Sequence, residues 1–418
     1  MRPVQPPAAT SESSPSQHRD LDARVLRLRR GEERRLRAGH LWVFANEVDN
    51  EATPLAGFEP GQQARLHDWR DQFLGHAYVN PHALICARIM SRDPSRPVDH
   101  ALLAERIDSA LQLRQRHYPT PHYRLVFGEA DLLPGLVLDR YGAVLVGQIA
   151  TAGMESLRPA IEAAVAQVLA PEVLLWKNDG AARDLEQLPH EITCPIGTQP
   201  PVLEVIESGL QFEVPMASVQ KTGWFYDQAA NRATLRRLLW PGARVLDVCS
   251  YLGAWAITAL RGGAREAWCV DSSAAALDGC AANAARSGVA LRTLRGDAFE
   301  VLERLRHDGE RFDVVVLDPP AFIKRRKDVP RGQAAYRKLN QLAMELLEPD
   351  AMLVSCSCSY HLAADELAGL IQAAARHGGH RVQILAAGGQ SCDHPLHPAI
   401  PETRYLKAYF CRVTRASG

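Results

Sequence analysis

Nowhere in the chain does an apolar run approach the roughly 18 residues that a membrane span requires, which sets aside a membrane role. Charge of one sign is not in excess either. The 48 Lys and Arg stand against 48 Asp and Glu, so any signal for nucleic acid has to be local. Cysteine is sparse at nine residues, and none of them forms the CxxC pairs that accompany a zinc site. No metal is expected, and without an export signal the thiols read as reduced and the compartment as cytoplasmic. The opening stretch MRPVQPPAATSESSPSQHRD lacks apolar residues for a core, so residues 1–20 are expected to be a disordered tail and not a signal peptide.

What is present is the composition of an ordinary globular protein, 46% hydrophobic and 23% charged. At 418 residues the chain is longer than one core usually holds, so two or three domains are expected. Residues 21–95 contain short alternating stretches such as QQARLHDW, QFLGHAYVN and ALICARIM, broken by Gly, Pro and Asn, which predict a small β-rich domain. Its first part holds seven arginines between Arg24 and Arg37, including Arg29 and Arg30, followed by Trp42 and Phe44. That pattern fits either a solvated charged edge or a phosphate-tracking patch beside exposed aromatics. Over 96–200, a helix HALLAERIDSALQLRQRH leads into strand-rich segments and an Ala-rich helix, an α+β middle unit. From 201 to 418 apolar strands alternate with Ala- and Leu-rich helices. Continuous aliphatic runs such as Val314 to Leu317 imply strands covered on both faces, hence a Rossmann-like α/β domain with a parallel sheet.

Ligands of such sheets sit beyond the carboxyl ends of the strands. The first end, VLDVCSYLGAW, carries Asp247, Cys249, Ser250 and Tyr251 ahead of a lone Gly253, a poor match to the GxGxxG cradle of a dinucleotide. The second, WCVDSS, places Asp271 and Ser272 where a carboxylate can accept from both hydroxyls of a ribose. The third, RGDAF, places Asp297 and Ala298 within reach of an adenine amino group. Each aspartate alone also fits a helix cap. Together and in this order they point to S-adenosylmethionine. The fourth end, VVVLDPPAFIKRRKD, has two prolines that hold a rigid extended turn. It is expected to project Asp318 and Phe322 toward a flat base, with Lys324 and Arg325 of the following basic run on phosphates.

The next strand ends in VSCSCSYHL, where period-two alternation puts Cys356 and Cys358 on one side with Cys358 nearer the ligand end. A thiolate adding to carbon 6 of a pyrimidine makes carbon 5 nucleophilic enough to take a methyl group. Buried small apolar residues are the other reading of these cysteines.

GHLWVF, LGHAYVNPHALICARI, YRLVFGEADLLPGLVLDRYG, QKTGWFYDQAANR, LDVCSYLGAW, LDPPAF, SCSYH and HPAIPETRYLK together resemble the bacterial large-subunit ribosomal RNA methyltransferase I family, whose members make 5-methylcytosine in 23S rRNA. The resemblance implies an N-terminal PUA domain, a middle domain and a C-terminal S-adenosylmethionine-dependent methyltransferase. It also implies Cys358 as nucleophile, Asp318 on the target base, and a Gln220 to Gln228 segment, with Lys221 and Thr222, lying over the cofactor. This chain has Ala229 where the family commonly has arginine, and its cofactor turn departs from the usual Phe-Cys-Tyr-Thr-Gly. The implied partner is ribosomal RNA, and a second copy of the chain is left open. Two rivals differ in chemistry. DPPAF also resembles the signatures of base-nitrogen methyltransferases, and the arginine-rich first domain would serve a non-catalytic assembly factor.

Overall fold

The computed structural model describes residues 24–216 and 221–415; the expected tail of residues 1–20 and Gln220 lie outside them. Strands Arg24–Arg27, Gln62–His67, Phe73–Val79, Ile85–Ser91 and Trp42–Phe44 form one five-stranded sheet in that order. Leu26, Leu66, Val79, Ala87 and Val43 are buried in its core, as the alternation of the short strands requires.

Helix His100–His117 follows, its N-terminus capped by Asp99, whose carboxylate accepts from the Leu102 amide at 2.9 Å. Its buried Leu103, Ile107 and Leu111 pack on the middle sheet, five strands ordered Glu191–Ile196, Val173–Asn178, Val144–Ile149, Leu136–Tyr141 and His122–Phe127. A two-stranded hairpin, Val202–Glu207 with Leu210–Pro215, leads to the last domain.

There the sheet has seven strands, ordered Arg292–Arg295, Glu266–Asp271, Arg244–Val248, Phe312–Leu317, Leu347–Ser357, Lys407–Arg415 and His380–Gly388. The first five run parallel; Lys407–Arg415 pairs antiparallel with both its neighbours. Val314, Val315 and Val316 are wholly buried because helices cover both faces. Chain order reverses between Arg244–Val248 and Phe312–Leu317, and the crevice at such a switch point opens beside Asp247 and Asp318.

Buried polar bonds lock the middle sheet to the last domain. Arg114 pairs with Asp131 and donates to the Asp393 carbonyl at 2.7 Å, while Asp393 accepts from the Arg124 amide at 2.9 Å. No helix among the described residues is long and apolar enough to cross a membrane.

Candidate active site

Strand Phe312–Leu317 delivers Asp318 to the crevice floor. Its two carboxylate oxygens accept from Gln228 Nε2 at 2.8 Å and from Trp255 Nε1 at 3.0 Å. Burial nevertheless pushes the Asp318 carboxyl up to about 6, because those two bonds and Arg232 compensate only part of the lost hydration.

On the neighbouring parallel strand, Leu347–Ser357 keeps Met352, Val354 and Cys356 on one buried face, and Cys358 follows just past the strand end. Cys358 is half-buried, with Sγ 3.9 Å from the Pro319 carbonyl of the DPP turn. The residues flanking it are fixed. Ser357 donates to the Tyr336 hydroxyl at 2.9 Å, Ser359 Oγ meets the same hydroxyl at 2.9 Å and accepts from the Ile323 amide at 3.1 Å. Lys407 Nζ clamps the Ser359 carbonyl at 2.5 Å. Both serines are fully buried, so their hydroxyls need these partners, and satisfying them sets the orientation of the cysteine between. Burial, with the negative charge of Asp318 next, pushes the Cys358 thiol up to about 11, and Lys221 opposes. Cys356, wholly interior, is likewise pushed up by burial.

Phe322 does not project freely. Its ring is half-buried against Tyr336 (4.8 Å between centroids) and Phe299 (6.1 Å), so the expected stacking face is largely committed to packing. Lys324 and Arg325 are exposed, Arg325 reaching Asp328 at 3.3 Å.

Across the crevice, Asp247 is fully buried; its Oδ2 accepts from the Ala256 amide at 3.2 Å while its Oδ1 has no hydrogen-bond partner. Burial, augmented by Asp318 and Asp271, pushes this carboxyl up to about 8. The turn that follows is built from left-handed residues, Cys249 (φ 65°), Tyr251 (φ 48°) and Gly253 (φ 80°). Only glycine fits the last position, where a Cβ would meet Cys280 Sγ at 2.4 Å. Cys249 is half-buried and its thiol is pushed up by burial, while Ser250 is buried. Asp271 accepts from the Tyr251 amide at 3.0 Å and from the Ser273 amide at 2.9 Å. Each oxygen retains acceptor capacity for a hydroxyl. Ser272 beside it is exposed.

Asp297 is exposed and caps helix Ala298–His307, one oxygen accepting from the Phe299 amide at 2.9 Å and the Glu300 amide at 3.4 Å. The capping role open to each aspartate is therefore filled by Asp297, and only its second oxygen is left outside the cap. Lys221 holds its ammonium 5.3 Å from the Phe225 ring centroid. Thr222 turns its polar atoms to the middle sheet, the hydroxyl accepting from Arg124 at 3.2 Å and the carbonyl from Tyr141 at 3.0 Å. Trp224 and Tyr226 are buried, so much of the expected covering segment is interior packing.

This crevice suits S-adenosylmethionine on its own terms. It has one glycine in place of a phosphate cradle, an acceptor carboxylate at Asp271, and a buried Asp247 carboxyl raised further by the charges of Asp318 and Asp271, with one buried oxygen unpartnered. A cationic sulfonium relieves that repulsion on Asp247.

In the first domain the arginine cluster is partly consumed internally. Arg27, Arg35 and Arg37 pair with Asp71, Glu47 and Asp68. Arg29 and Arg30 remain exposed, Arg29 donating to the Val48 carbonyl and Arg30 lying 5.1 Å over Trp69. Trp42 is not an exposed aromatic: it is half-buried, and its indole N–H donates to Glu129 of the middle domain at 2.9 Å. Among the described residues no cluster of three or more His, Cys, Asp or Glu side chains is placed to hold a metal ion.

Sequence reasoning did not assign Gln228, Trp255, Tyr336 or Lys407. Three of them sit inside or at the end of the motifs quoted above, but only folding shows what they touch; Tyr336 carries no local signal at all.

Fold and crevice define an S-adenosylmethionine-dependent methyltransferase. Residues 191–388 match the S-adenosylmethionine-dependent methyltransferase family and residues 26–92 the PUA-like domain family. A methyltransferase crystallised with SAH superposes with a TM-score of 0.79 at 19% identity, covering 93% of this chain and 100% of that one. A second structure, a SAM-dependent methyltransferase from Streptococcus mutans, gives 0.78 at 19% identity, with the same 93% and 100% coverage. The chain is 34% identical to Ribosomal RNA large subunit methyltransferase I of Cronobacter sakazakii over 93% of its own length and 99% of that protein. It is equally 34% identical to the protein of that name from Escherichia coli, with the same 93% and 99% coverage. The chain belongs to the ribosomal RNA large subunit methyltransferase I family.

Proposed function

We propose that the protein methylates carbon 5 of a cytosine in large-subunit ribosomal RNA, with Cys358 as nucleophile and Asp318 on the N3 edge of the base. The observation that carries this reading is the placement of Cys358, oriented by Ser357 and Ser359 through Tyr336 and set against the DPP turn that bears Asp318. The names of the relatives support the ribosomal substrate, and work on such a substrate fits the cytoplasm.

Asp247, Asp271 and the turn between Cys249 and Gly253 would hold S-adenosylmethionine, which supplies a methyl group as an electrophile. The chain's own residues then prepare the base. With Cys358 raised to about 11 and Asp318 at about 6, the resting pair is a thiol beside a carboxylate. As sulfur bonds carbon 6, the thiol proton passes to Asp318 and from it to N3, so the electrons of the 5,6 double bond reside in a neutral enamine. Carbon 5 is now the nucleophilic atom. Once it is methylated, the N3 proton returns to Asp318, a base removes the C5 proton, and those electrons restore the double bond as Cys358 leaves.

RNA carrying 5-fluorocytosine at the target has no C5 proton to lose and should trap Cys358 as a denaturation-resistant adduct, absent in Cys358→Ala. Methyl transfer at wild-type rate by Cys358→Ala would rule the mechanism out and favour a ring or exocyclic nitrogen as acceptor.

A further inference from the structure

Between the three domains lies a cavity of about 190 Å³ that the chemistry above does not use. Trp42 of the first domain forms one wall, Phe127 and Val137 of the middle sheet another, and Glu129 and Glu402 supply its charged groups. Glu129 is aimed by the Trp42 indole, a bond that occupies only one of its oxygens. Phe127 also lies toward the catalytic side: its centroid lies 6.2 Å from that of Tyr405, whose hydroxyl donates to Asp227 at 2.5 Å, and the Asp227 charge is among those that raise the Cys358 thiol.

We propose that this cavity receives a second nucleobase of the same RNA, one bearing an exocyclic amino group, stacked on Trp42 and Phe127 and donating to Glu129. The proposal rests on the reading of the site as one that acts on an RNA base. Three observations select this occupant. Two carboxylates repel phosphate, so it is a base and not the backbone that enters. Flat aromatic walls fit any base, as in single-strand binding by stacking. A carboxylate accepts only, so it favours guanine, adenine and cytosine, which present an exocyclic amino group, over uracil, whose single N3–H donor is flanked by two carbonyls that the carboxylate repels. The cavity is also smaller than the roughly 300 Å³ at which pockets for drug-sized ligands begin, which suits one ring system and not a whole nucleotide.

The test uses the full chain and two fluorescent probes, a twelve-residue oligoadenylate and a twelve-residue oligouridylate, read by anisotropy. Wild type should bind the adenylate roughly tenfold more tightly. Glu129→Gln, which keeps an acceptor for the indole but removes the charge, and Val137→Phe, which fills the cavity, should each reduce the preference to about twofold or less while leaving thermal melting and S-adenosylmethionine affinity unchanged. Cys358→Ala should keep the full preference, so a failure of the catalytic reading and a failure of this one are distinguishable. Equal binding of the two probes by wild type, or a preference that survives in both cavity variants, overturns the proposal.

Discussion

Gln228 donates to Asp318 at 2.8 Å, and that bond opposes the burial that lifts Asp318 to about 6. Between that pH and the Cys358 value of about 11 the pair holds the one proton from which the proposed chemistry starts. Below about 6 it holds two, so kcat/KM should fall on the acid side. Gln228→Ala removes support for the carboxylate and should move this limb to higher pH. Measuring kcat/KM from about pH 5 to 9 checks it, and an unmoved limb would show that Asp318 is not the group titrating.

Tyr336 is the shared partner of Ser357 and Ser359. Tyr336→Phe leaves both buried hydroxyls short of a bond and is expected to cost about 1–3 kcal/mol in urea unfolding. Because the serines orient Cys358, kcat should drop at least tenfold, with S-adenosylmethionine affinity by calorimetry unchanged. Equal activity would mean that the thiol is positioned by something else.

Cys356 belongs to the core. Cys356→Ala should lower stability by about 1 kcal/mol through the small void it leaves, yet still form the 5-fluorocytosine adduct and still release methylated product from ordinary RNA. Accumulation of a covalent RNA complex in this variant would give Cys356 a part in product release.

The raised carboxyls of Asp247 and Asp318 make a stability prediction. Both bind a proton more tightly folded than unfolded, so their contribution is complete below the ordinary aspartate value of 3.8 and is lost as pH rises through about 6 for Asp318 and about 8 for Asp247. The cofactor-free protein should therefore melt at lower temperature at pH 8 than at pH 5. Asp247→Asn should flatten the upper part of that dependence, and added S-adenosylmethionine should stabilise more at the higher pH. A melting profile indifferent to Asp247→Asn would contradict this.

Arg29 and Arg30 are two of the exposed cations of the first domain's cluster, whereas Arg35 is bound to Glu47. If they meet phosphates, replacing each by Ala should reduce the log-log salt slope of RNA binding by about 0.7–0.9. Arg35→Ala should instead destabilise the domain by about 1–3 kcal/mol, by leaving the buried Glu47 unpaired. Unchanged slopes in Arg29→Ala and Arg30→Ala would move the phosphate contacts elsewhere.

The parallel sheet and the order of its acidic strand ends were readable in the chain because both are local patterns. An unbroken aliphatic run such as Val314 to Leu317 has no other stable home than a strand covered on both faces, and Asp247, Asp271 and Asp318 each close such a run or sit in its last residues. The doubled cysteine was half readable: period-two alternation puts Cys356 and Cys358 on one side, whereas the strand's end at Ser357 is what leaves the first inside the core and the second past it. Partners were not readable. Gln228 reaches Asp318 across 90 residues, Lys407 reaches Ser359 across 48, and Trp42 reaches Glu129 across 87. No local propensity encodes such pairings; they follow from which strand lies beside which and from the need of buried polar groups to find a partner. For the same reason only the folded chain decided that Asp297 caps a helix, that Arg27, Arg35 and Arg37 are already paired, and that Trp42 faces a cavity between domains and not open solvent.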